Sequence, residues 1–563
     1  MADLPPTPPI PGPTPPDSSG AKLTARDQRP PPPASPWDKF LPFRVQRTTL
    51  GTRVQIAWRQ AVIALIALAL AGWLGLATGA YLFVKYRRDF PGVRFQHMLF
   101  YPSERENYRQ ARGDYLIELC KKELEAKEFR EAFHHLRIGA SLAPRNRDGR
   151  MLLAQFYVVW QRPDLAHKLL VEGVEDHAGD LEYLQTLFSF LLQRQEDHEL
   201  IRISDRLLAD TERDGLPDER LRLIATARAT AQLFRGNYDA AEDTIREYRI
   251  ADTTDGRLLA IRVAWERGER ESSLAALQGM TEELPDNEEV YAQYTAFLRE
   301  DGRDDEMRRQ AVLRQLSYPD RPRARLDLLY LYDKAREETS VELGVEDLFR
   351  DFNTNGEVML ALADFAANTG RPDLARRIYA HCKTAQLPWD GAALMTVEAY
   401  VVAKRYREAL EACTEMQQEN PEWGKRFYTV FNGLQAIANF GLSDVEAAEL
   451  FLSNFLTQSG VRADNLVAVS NRLLSVGAND QARLVLAQAV RSDPLNQTAL
   501  TGLIRLDLAA GRAEAVTGHV RTLLTMRKPP RALLAEAYAR LASDRFLLIP
   551  ERSALLNEIG KSL

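Results

Sequence analysis

The chain has 563 residues, of which 45% are hydrophobic and 27% charged, and this composition excludes a wholly disordered chain or a collagen-like fibre. The net charge of -6 is uneven: residues 1–60 carry 8 Lys and Arg against 4 Asp and Glu, whereas residues 85–563 carry 65 against 75. An acidic body disfavours a general nucleic-acid binder, because phosphate contacts require an excess of basic side chains. We therefore expect no nucleic-acid partner.

The N-terminal segment is rich in proline. Residues 1–36 hold 13 of the 29 prolines and have few apolar side chains that could build a core. Such composition favours polyproline II conformations without a packed fold. We interpret residues 1–56 as a disordered tail that acts as a spacer, with docking of its proline motifs into an aromatic groove of a partner as the alternative.

A long apolar segment follows this tail. Ala61 to Val84 is a run of 24 residues without a charge. At about 1.5 Å per residue, a helix of this length reaches roughly 36 Å, which exceeds a hydrocarbon core of about 30 Å. Trp58, Tyr81 and Tyr86 lie near its ends, where aromatic rings favour the membrane interface. The segment is too long, and starts too late, for a cleavable signal peptide. We predict one uncleaved transmembrane helix over residues 57–86.

Basic residues flank this helix equally on both sides, so the positive-inside count does not decide its orientation. Translocation of a basic tail is unfavourable, which favours the tail inside and the acidic body outside. Small residues recur at every fourth position of the helix, and such a stripe lets two helices pack closely in lipid. The stripe comprises Ala67, Ala71, Gly75 and Gly79. It predicts helix packing in the membrane, with a homodimer as one outcome.

Residues 87–111 join the membrane helix to the body. Within them, residues 89–106 contain seven large apolar side chains, too many for a free tether. This juxtamembrane segment either lies in the membrane interface or caps the first helices of the body.

From Arg112 onward a pattern of about 34 residues recurs. Each unit has a small residue on the second helix of a helical hairpin, an apolar residue four positions later, and in several units a proline twelve positions later. The small residue allows the two helices to cross closely, and each unit buries its remaining apolar edge against the next. The clearest anchors are Ala132, Ala166, Ala241, Ala375, Ala409 and Ala482.

This pattern resembles the tetratricopeptide repeat family over nearly all of residues 112–563. The resemblance implies an all-α fold, a right-handed superhelical α-solenoid of about twelve hairpins after one transmembrane helix, whose concave surface binds proteins. The variant that grips acidic C-termini uses asparagines on adjacent first helices. Here Leu152 and Met395 occupy matching places and Asn471 stands alone, so we do not expect binding of chaperone tails.

The sequence offers little chemistry. It has no phosphate-binding loop, zinc-protease motif, nucleophile elbow or dinucleotide turn. The cysteines Cys120, Cys382 and Cys413 are too far apart in sequence for a zinc motif, and the histidines are scattered. Repeats occupy residues 112–563 and leave no segment for a catalytic domain. We predict no enzyme activity, catalytic residue, cofactor or metal.

Two functions fit these features. The first is a membrane-tethered scaffold that binds partner proteins through the solenoid, in bacterial envelope assembly or export. The second is an accessory or regulatory subunit packed against a membrane enzyme, without an open groove. Sixty arginines against 13 lysines indicate a GC-rich, bacterial genome. We therefore expect a single-pass protein of a bacterial inner membrane, with its solenoid on the periplasmic side.

Overall fold

The computed structural model describes residues 43–48, 51–56, 58–88, 90–209, 218–458, 461–548 and 550–563. The chain divides into two compact units, residues 1–149 and residues 150–563. Helices account for nearly all of the described residues of both units. The fold is an all-α solenoid of consecutive helical pairs.

The first unit opens with a β-hairpin that the sequence analysis did not predict. Strands β1 (Phe43–Thr48) and β2 (Gly51–Ile56) are antiparallel, with Val45 opposite Val54. Both strands alternate apolar with polar residues and contain no proline, a pattern that favours a strand. The interpretation of residues 1–56 as a disordered tail extended the character of the proline-rich part too far. Residues 1–42 lie outside the described residues.

The hairpin is followed by the apolar helix α1 (Trp58–Leu82), which continues into a π-helical turn, Phe83–Arg87. Among the residues that the structure describes, this is the one helical stretch long and apolar enough to cross a membrane by length and composition. Of the side chains of α1, Ala77 alone is buried. The helix therefore exposes its apolar surface on nearly every side.

The short helix α2 (Phe95–Leu99) leads into the first helical pair, α3 (Tyr101–Glu125) and α4 (Phe129–Leu142). The two helices of this pair cross at small residues. A Cβ added to Gly113 would lie 2.5 Å from the Cβ of Ala143 and 2.7 Å from the carbonyl oxygen of Gly139. Any larger residue at position 113 would push the helices apart.

The second unit continues the pairing through its described residues. Its boundary falls in the first turn of α5, and two short helices, α7 and α22, stand between pairs. In chain order the helices are α5 (Arg147–Val159), α6 (Pro163–Glu172), α7 (Val174–His177), α8 (Leu181–Gln193), α9 (Asp197–Ala209), α10 (Glu219–Phe234), α11 (Tyr238–Glu247), α12 (Thr254–Arg267), α13 (Arg270–Glu283), α14 (Glu288–Glu300), α15 (Asp304–Ser317), α16 (Arg323–Lys334), α17 (Glu338–Phe352), α18 (Gly356–Asn368), α19 (Pro372–Thr384), α20 (Asp390–Val402), α21 (Tyr406–Glu419), α22 (Pro421–Arg426), α23 (Tyr428–Gly441), α24 (Val445–Thr457), α25 (Ala463–Ser475), α26 (Asn479–Ser492), α27 (Gln497–Ala510), α28 (Ala513–Thr525), α29 (Arg531–Leu541) and α30 (Arg552–Ser562).

The turn inside a pair repeats in its backbone. In all but the last pair of the described chain it contains one residue with positive φ, the region that glycine adopts most readily. These residues recur at intervals of 34 in three runs: Lys127, Gln161 and Gln195; Gly268, Gly302, Arg336, Gly370 and Lys404; Ser443, Gly477 and Gly511. Gly236 stands between the first two runs. The period seen in the sequence is thus a period of backbone geometry.

The recurring proline marks the junction between pairs. Pro285 and Pro494 each follow a second helix and precede an asparagine by two positions. The side chains of Asn287 and Asn496 accept a hydrogen bond from the backbone N–H three residues later, at 3.0 and 2.9 Å. Asparagine caps a helix in this way, so the proline and asparagine together end one helix and begin the next.

The small residues that the sequence analysis singled out lie in the core. All six have no exposed surface, and all lie on the second helix of a pair: Ala132, Ala166, Ala241, Ala375, Ala409 and Ala482. The three cysteines are buried as well. Neither set reaches a binding surface.

Candidate functional site

The first helices of three consecutive pairs, α20, α23 and α25, line a cavity of about 580 Å³ in the second unit. Its wall is largely apolar, with side chains that include Leu394, Met395, Phe427, Val430, Leu434 and Val469. Charged side chains of Glu398, Arg462 and Arg472 also contribute to it. This combination suits the apolar face of a protein segment with a polar group at its edge.

The cavity lies where the repeat period is interrupted. Lys404 and Ser443, the positive-φ residues of consecutive pairs, are 39 rather than 34 residues apart, and the short helix α22 occupies the extra chain. Trp423 of α22 is buried, with its ring 5.1 Å from that of Trp389 and 5.2 Å from that of Phe427. This aromatic cluster stands between α20 and α23 and supports one side of the cavity.

An ion pair shows that the first-helix surface is concave here. Arg472 of α25 donates to Glu398 of α20 at 2.7 Å and to the side-chain oxygen of Asn368 of α18 at 3.2 Å. These partners lie two and three pairs earlier in the chain. Side chains so far apart along the array meet only where their surface curves inward.

The preceding part of the same surface is polar. Asp327 of α16 accepts hydrogen bonds from the Tyr291 hydroxyl at 3.3 Å and from Arg299 at 3.0 Å, and burial raises the pKa of its carboxyl. The Tyr330 hydroxyl donates to Asp364 at 3.0 Å, and burial together with that carboxylate raises the pKa of Tyr330 to about 12. The first helices therefore present a hydrogen-bonded section followed by an apolar one.

Later in the second unit the chain returns to its own early pairs. Arg527, in the loop after α28, donates to both carboxylate oxygens of Asp197 at 2.7 and 2.9 Å and to the carbonyl of Leu192 at 2.7 Å. The backbone N–H of Lys528 donates to the carbonyl of Phe234 at 2.9 Å. We call these contacts between residues 192–234 and residues 527–528 the clasp.

A second cavity, of about 640 Å³, lies close to the clasp. It is lined on one side by residues 158–194 and on the other by residues 455–493. Gln195 bridges the same two regions by donating to the carbonyl of Leu495 at 2.9 Å. The clasp thus brings early and late pairs of the second unit together around a polar opening.

The sequence analysis located only part of this arrangement. Of its residues, Met395 lines the apolar cavity, although it was noted there only for lacking an asparagine. Glu398 and Arg472 were missed because charges at helical spacing usually face solvent. Arg527 was missed because it lies in a loop between helices, where the repeat pattern gives no signal. No feature of the sequence indicates that residues 330 positions apart meet.

The remaining predictions concern the membrane and chemistry. The stripe of Ala67, Ala71, Gly75 and Gly79 is exposed along α1. A Cβ added to Gly75 or Gly79 would meet no atom within 4 Å, so another helix could approach there. Within the described ranges, no group of three or more His, Cys, Asp or Glu side chains could hold a metal ion.

Comparison with known proteins gives no family. No family model matches the chain, and no curated protein matches it. Among solved structures it is similar to one described as the APC/C hetero-tetramer Cut9–Hcn1, at 13% identity over 80% of this chain and 96% of that chain, with a TM-score of 0.23. The solenoid described above rests on the helical pairs themselves.

Proposed function

We propose that this protein is a membrane-tethered scaffold that binds partner proteins through the concave first-helix surface of its second unit. The observation that carries the proposal is the open apolar cavity between α20, α23 and α25. An accessory subunit without a groove would fill this surface with its own side chains. The open cavity therefore supports recruitment of a separate protein.

The anchor of this scaffold is α1. Its apolar side chains are largely exposed, among them Leu65 at 69%, Leu68 at 74% and Leu76 at 74%. Exposure of so many leucines to water is unfavourable, whereas a lipid environment accommodates them. We place the anchor in a bacterial inner membrane with the solenoid on the periplasmic side, where it would serve envelope assembly or export. Homodimerisation through the small-residue stripe stays a prediction.

The chemistry of the cavity suggests the form of its ligand. An amphipathic helix places apolar residues in such a groove at intervals of three and four. Glu398 and Arg472 already satisfy each other, so they favour a polar residue at the edge of the ligand over an unpaired charge. We therefore expect a partner that contributes an amphipathic helix with little net charge on its buried side.

Site-specific photo-crosslinking in membranes tests this function. A photoreactive amino acid at Met395, inside the cavity, should form crosslinks to a partner protein. The same amino acid at Leu450, which is 61% exposed on the second helix α24, serves as the control. Leu394→Asp, which places a charge in the cavity, should abolish the crosslinks from position 395. Equal crosslinking from both positions, or no effect of Leu394→Asp, would contradict the assignment.

A further inference from the structure

The chain turns back along the membrane helix after leaving it. Two contacts define the turn: the indole N–H of Trp73 donates to the carbonyl of Leu99 at 2.9 Å, and the rings of Tyr81 and Phe95 pack edge to face at 5.9 Å. Trp73 and Tyr81 are eight residues apart on α1, which corresponds to about 12 Å along its axis. Residues 95–99 therefore run back toward the middle of α1.

One face of this turn is fixed to the first helical pair. Phe90 is 2% exposed, and its ring lies 5.3 Å from that of Tyr115 and 6.1 Å from that of Tyr108, both on α3. Val93 and His97 are buried on the same face. Of the two alternatives for the juxtamembrane segment, the cap therefore describes this face.

The opposite face exposes large rings. Phe95 is 37% exposed, Phe100 56% and Tyr101 44%, and the last two stand where the returning chain reverses into α3. We infer that this reversal, Leu99–Tyr101, inserts into the lipid bilayer beside α1 as a second membrane contact. The inference rests on the proposed role of α1 as the anchor.

The depth of insertion follows from the length of α1. A transmembrane helix needs at least about 17 residues, which places the hydrocarbon boundary near Ala77 if the span begins at Ala61. Trp73 lies four residues before Ala77, or about 6 Å inside that boundary. The hydrogen bond to Leu99 brings the reversal to the same level. Amphipathic segments at an interface reach about 5–10 Å below it, so the two depths agree.

The hydrogen bonding of the reversal suits a lipid environment, in which unsatisfied polar groups are costly. Trp73 and Leu99 satisfy each other's N–H and C=O. The carbonyl of Phe100 accepts from the backbone N–H of Ser103 at 3.0 Å and of Glu104 at 2.9 Å, and its own N–H donates to Gln96 at 3.0 Å. These backbone groups therefore need no water.

Basic residues surround the turn on the side away from its tip. Arg87, Arg88 and Arg94 are exposed, and Lys85 lies beside Tyr81, with its ammonium 3.1 Å from the hydroxyl. Residues 84–103 contain a single acidic residue. At the level of the lipid headgroups this charge would attract anionic phospholipids. The partner of this surface is therefore a bilayer that contains such lipids.

Spin labels at single positions test the inference in the full chain, reconstituted in vesicles of phosphatidylethanolamine and phosphatidylglycerol. The labels replace Phe100 at the reversal, Leu68 in the anchor and Glu106 one turn beyond the reversal, whose side chain is 82% exposed. The unsubstituted chain gives the background from the three buried cysteines. Accessibility to oxygen and to a water-soluble nickel chelate is measured at each position.

We expect Phe100→Cys and Leu68→Cys to favour oxygen and Glu106→Cys to favour the nickel chelate. If position 68 is protected but position 100 behaves like position 106, the inserted reversal is wrong and the anchor stands. If position 68 is accessible to nickel, the anchor itself is wrong and the inference falls with it. A second variant, Trp73→Phe, removes the N–H donor to Leu99 and should move the label at position 100 toward water. An unchanged label in Trp73→Phe would overturn the role of that hydrogen bond.

Discussion

Arg527 donates two hydrogen bonds to the carboxylate of Asp197, at 2.7 and 2.9 Å, although 330 residues separate them in the chain. Asp197 is 1% exposed and the side chain of Arg527 is 20% exposed. A guanidinium that meets a carboxylate with two donors fixes both distance and orientation. The pair therefore sets how early and late parts of the second unit meet.

The first prediction concerns this pair. Arg527→Ala leaves a buried carboxylate without its cation, which typically costs about 3–5 kcal/mol. We expect the free energy of local opening, measured by hydrogen exchange, to fall in α9 and in the loop around residue 527. Arg521→Ala is the matched control, because Arg521 pairs with Glu551 at an exposed position, where loss of a pair costs about 0–1 kcal/mol. Equal effects of the two changes would contradict a structural role for the clasp.

The second prediction concerns the close crossing of helices inside a pair. Ala409 has no exposed surface on α21, so Ala409→Leu overfills the crossing, at a cost of about 1–3 kcal/mol. Neighbouring pairs stabilise one another in a solenoid, so the loss should appear first between residues 375 and 447. Glu411→Leu introduces the same side chain at an exposed position of the same helix and should change stability by less than about 0.5 kcal/mol. A single loss of exchange protection throughout the body would show that the repeat register is wrong.

The third prediction separates backbone geometry from packing. Gly302 has a φ of +74° and open space around an added Cβ, so Gly302→Ala should cost about 1–2 kcal/mol through its left-handed backbone alone. Gly279 also has open space but lies within the exposed surface of α13. Gly279→Ala should therefore stabilise the chain by about 0.5–1 kcal/mol. Thermal unfolding of both variants measures the opposite signs, and a shared sign would refute the assignment of the turn.

The fourth prediction concerns the thiols. Burial raises the pKa of Cys413 to about 12, and burial together with nearby Glu123 raises that of Cys120 to about 11. Both thiols stay protonated at about pH 8, where the thiolate is the reactive species. We expect the folded chain to resist a thiol reagent at that pH and the unfolded chain to react at all three cysteines. Rapid reaction in the folded chain would contradict the burial.

The same shift has a consequence for stability at high pH. The folded Cys413 keeps its proton to about pH 12, whereas an ordinary thiol near 9.0 loses it earlier. Between these values the unfolded chain binds fewer protons than the folded chain, so stability falls as the pH rises. Cys413→Ala should weaken this fall in denaturation experiments at alkaline pH, relative to its own stability at neutral pH.

Local features of the fold were predictable from the sequence. Ala375 and Ala409 are 34 residues apart, and both are small because two helices cross there. Each such position is determined by neighbours within a few tens of residues, so the pattern survives in one sequence. The asparagine caps at Asn287 and Asn496 carry an equally local signal, which the proline spacing alone did not reveal.

Long-range features were not predictable. The meeting of Arg527 with Asp197 depends on small rotations summed over all of the intervening pairs, and no single segment encodes that sum. The cavity at Met395 depends on the extra helix α22, which a search for a fixed period treats as noise. The hairpin of residues 43–56 was hidden because the prolines before it dominate the composition of the segment.

The constant interval between positive-φ turns gives the clasp a further meaning. Removing residues 303–336 would join Gly302 directly to the chain after Arg336, at the interval of 34 that separates neighbouring turns. Every local junction would keep its geometry, yet residue 527 would arrive one step short of Asp197. The ion pair thus works as a gauge of copy number: it closes for one number of repeats, and duplication or loss of a single repeat leaves a well-formed array with its two ends out of register.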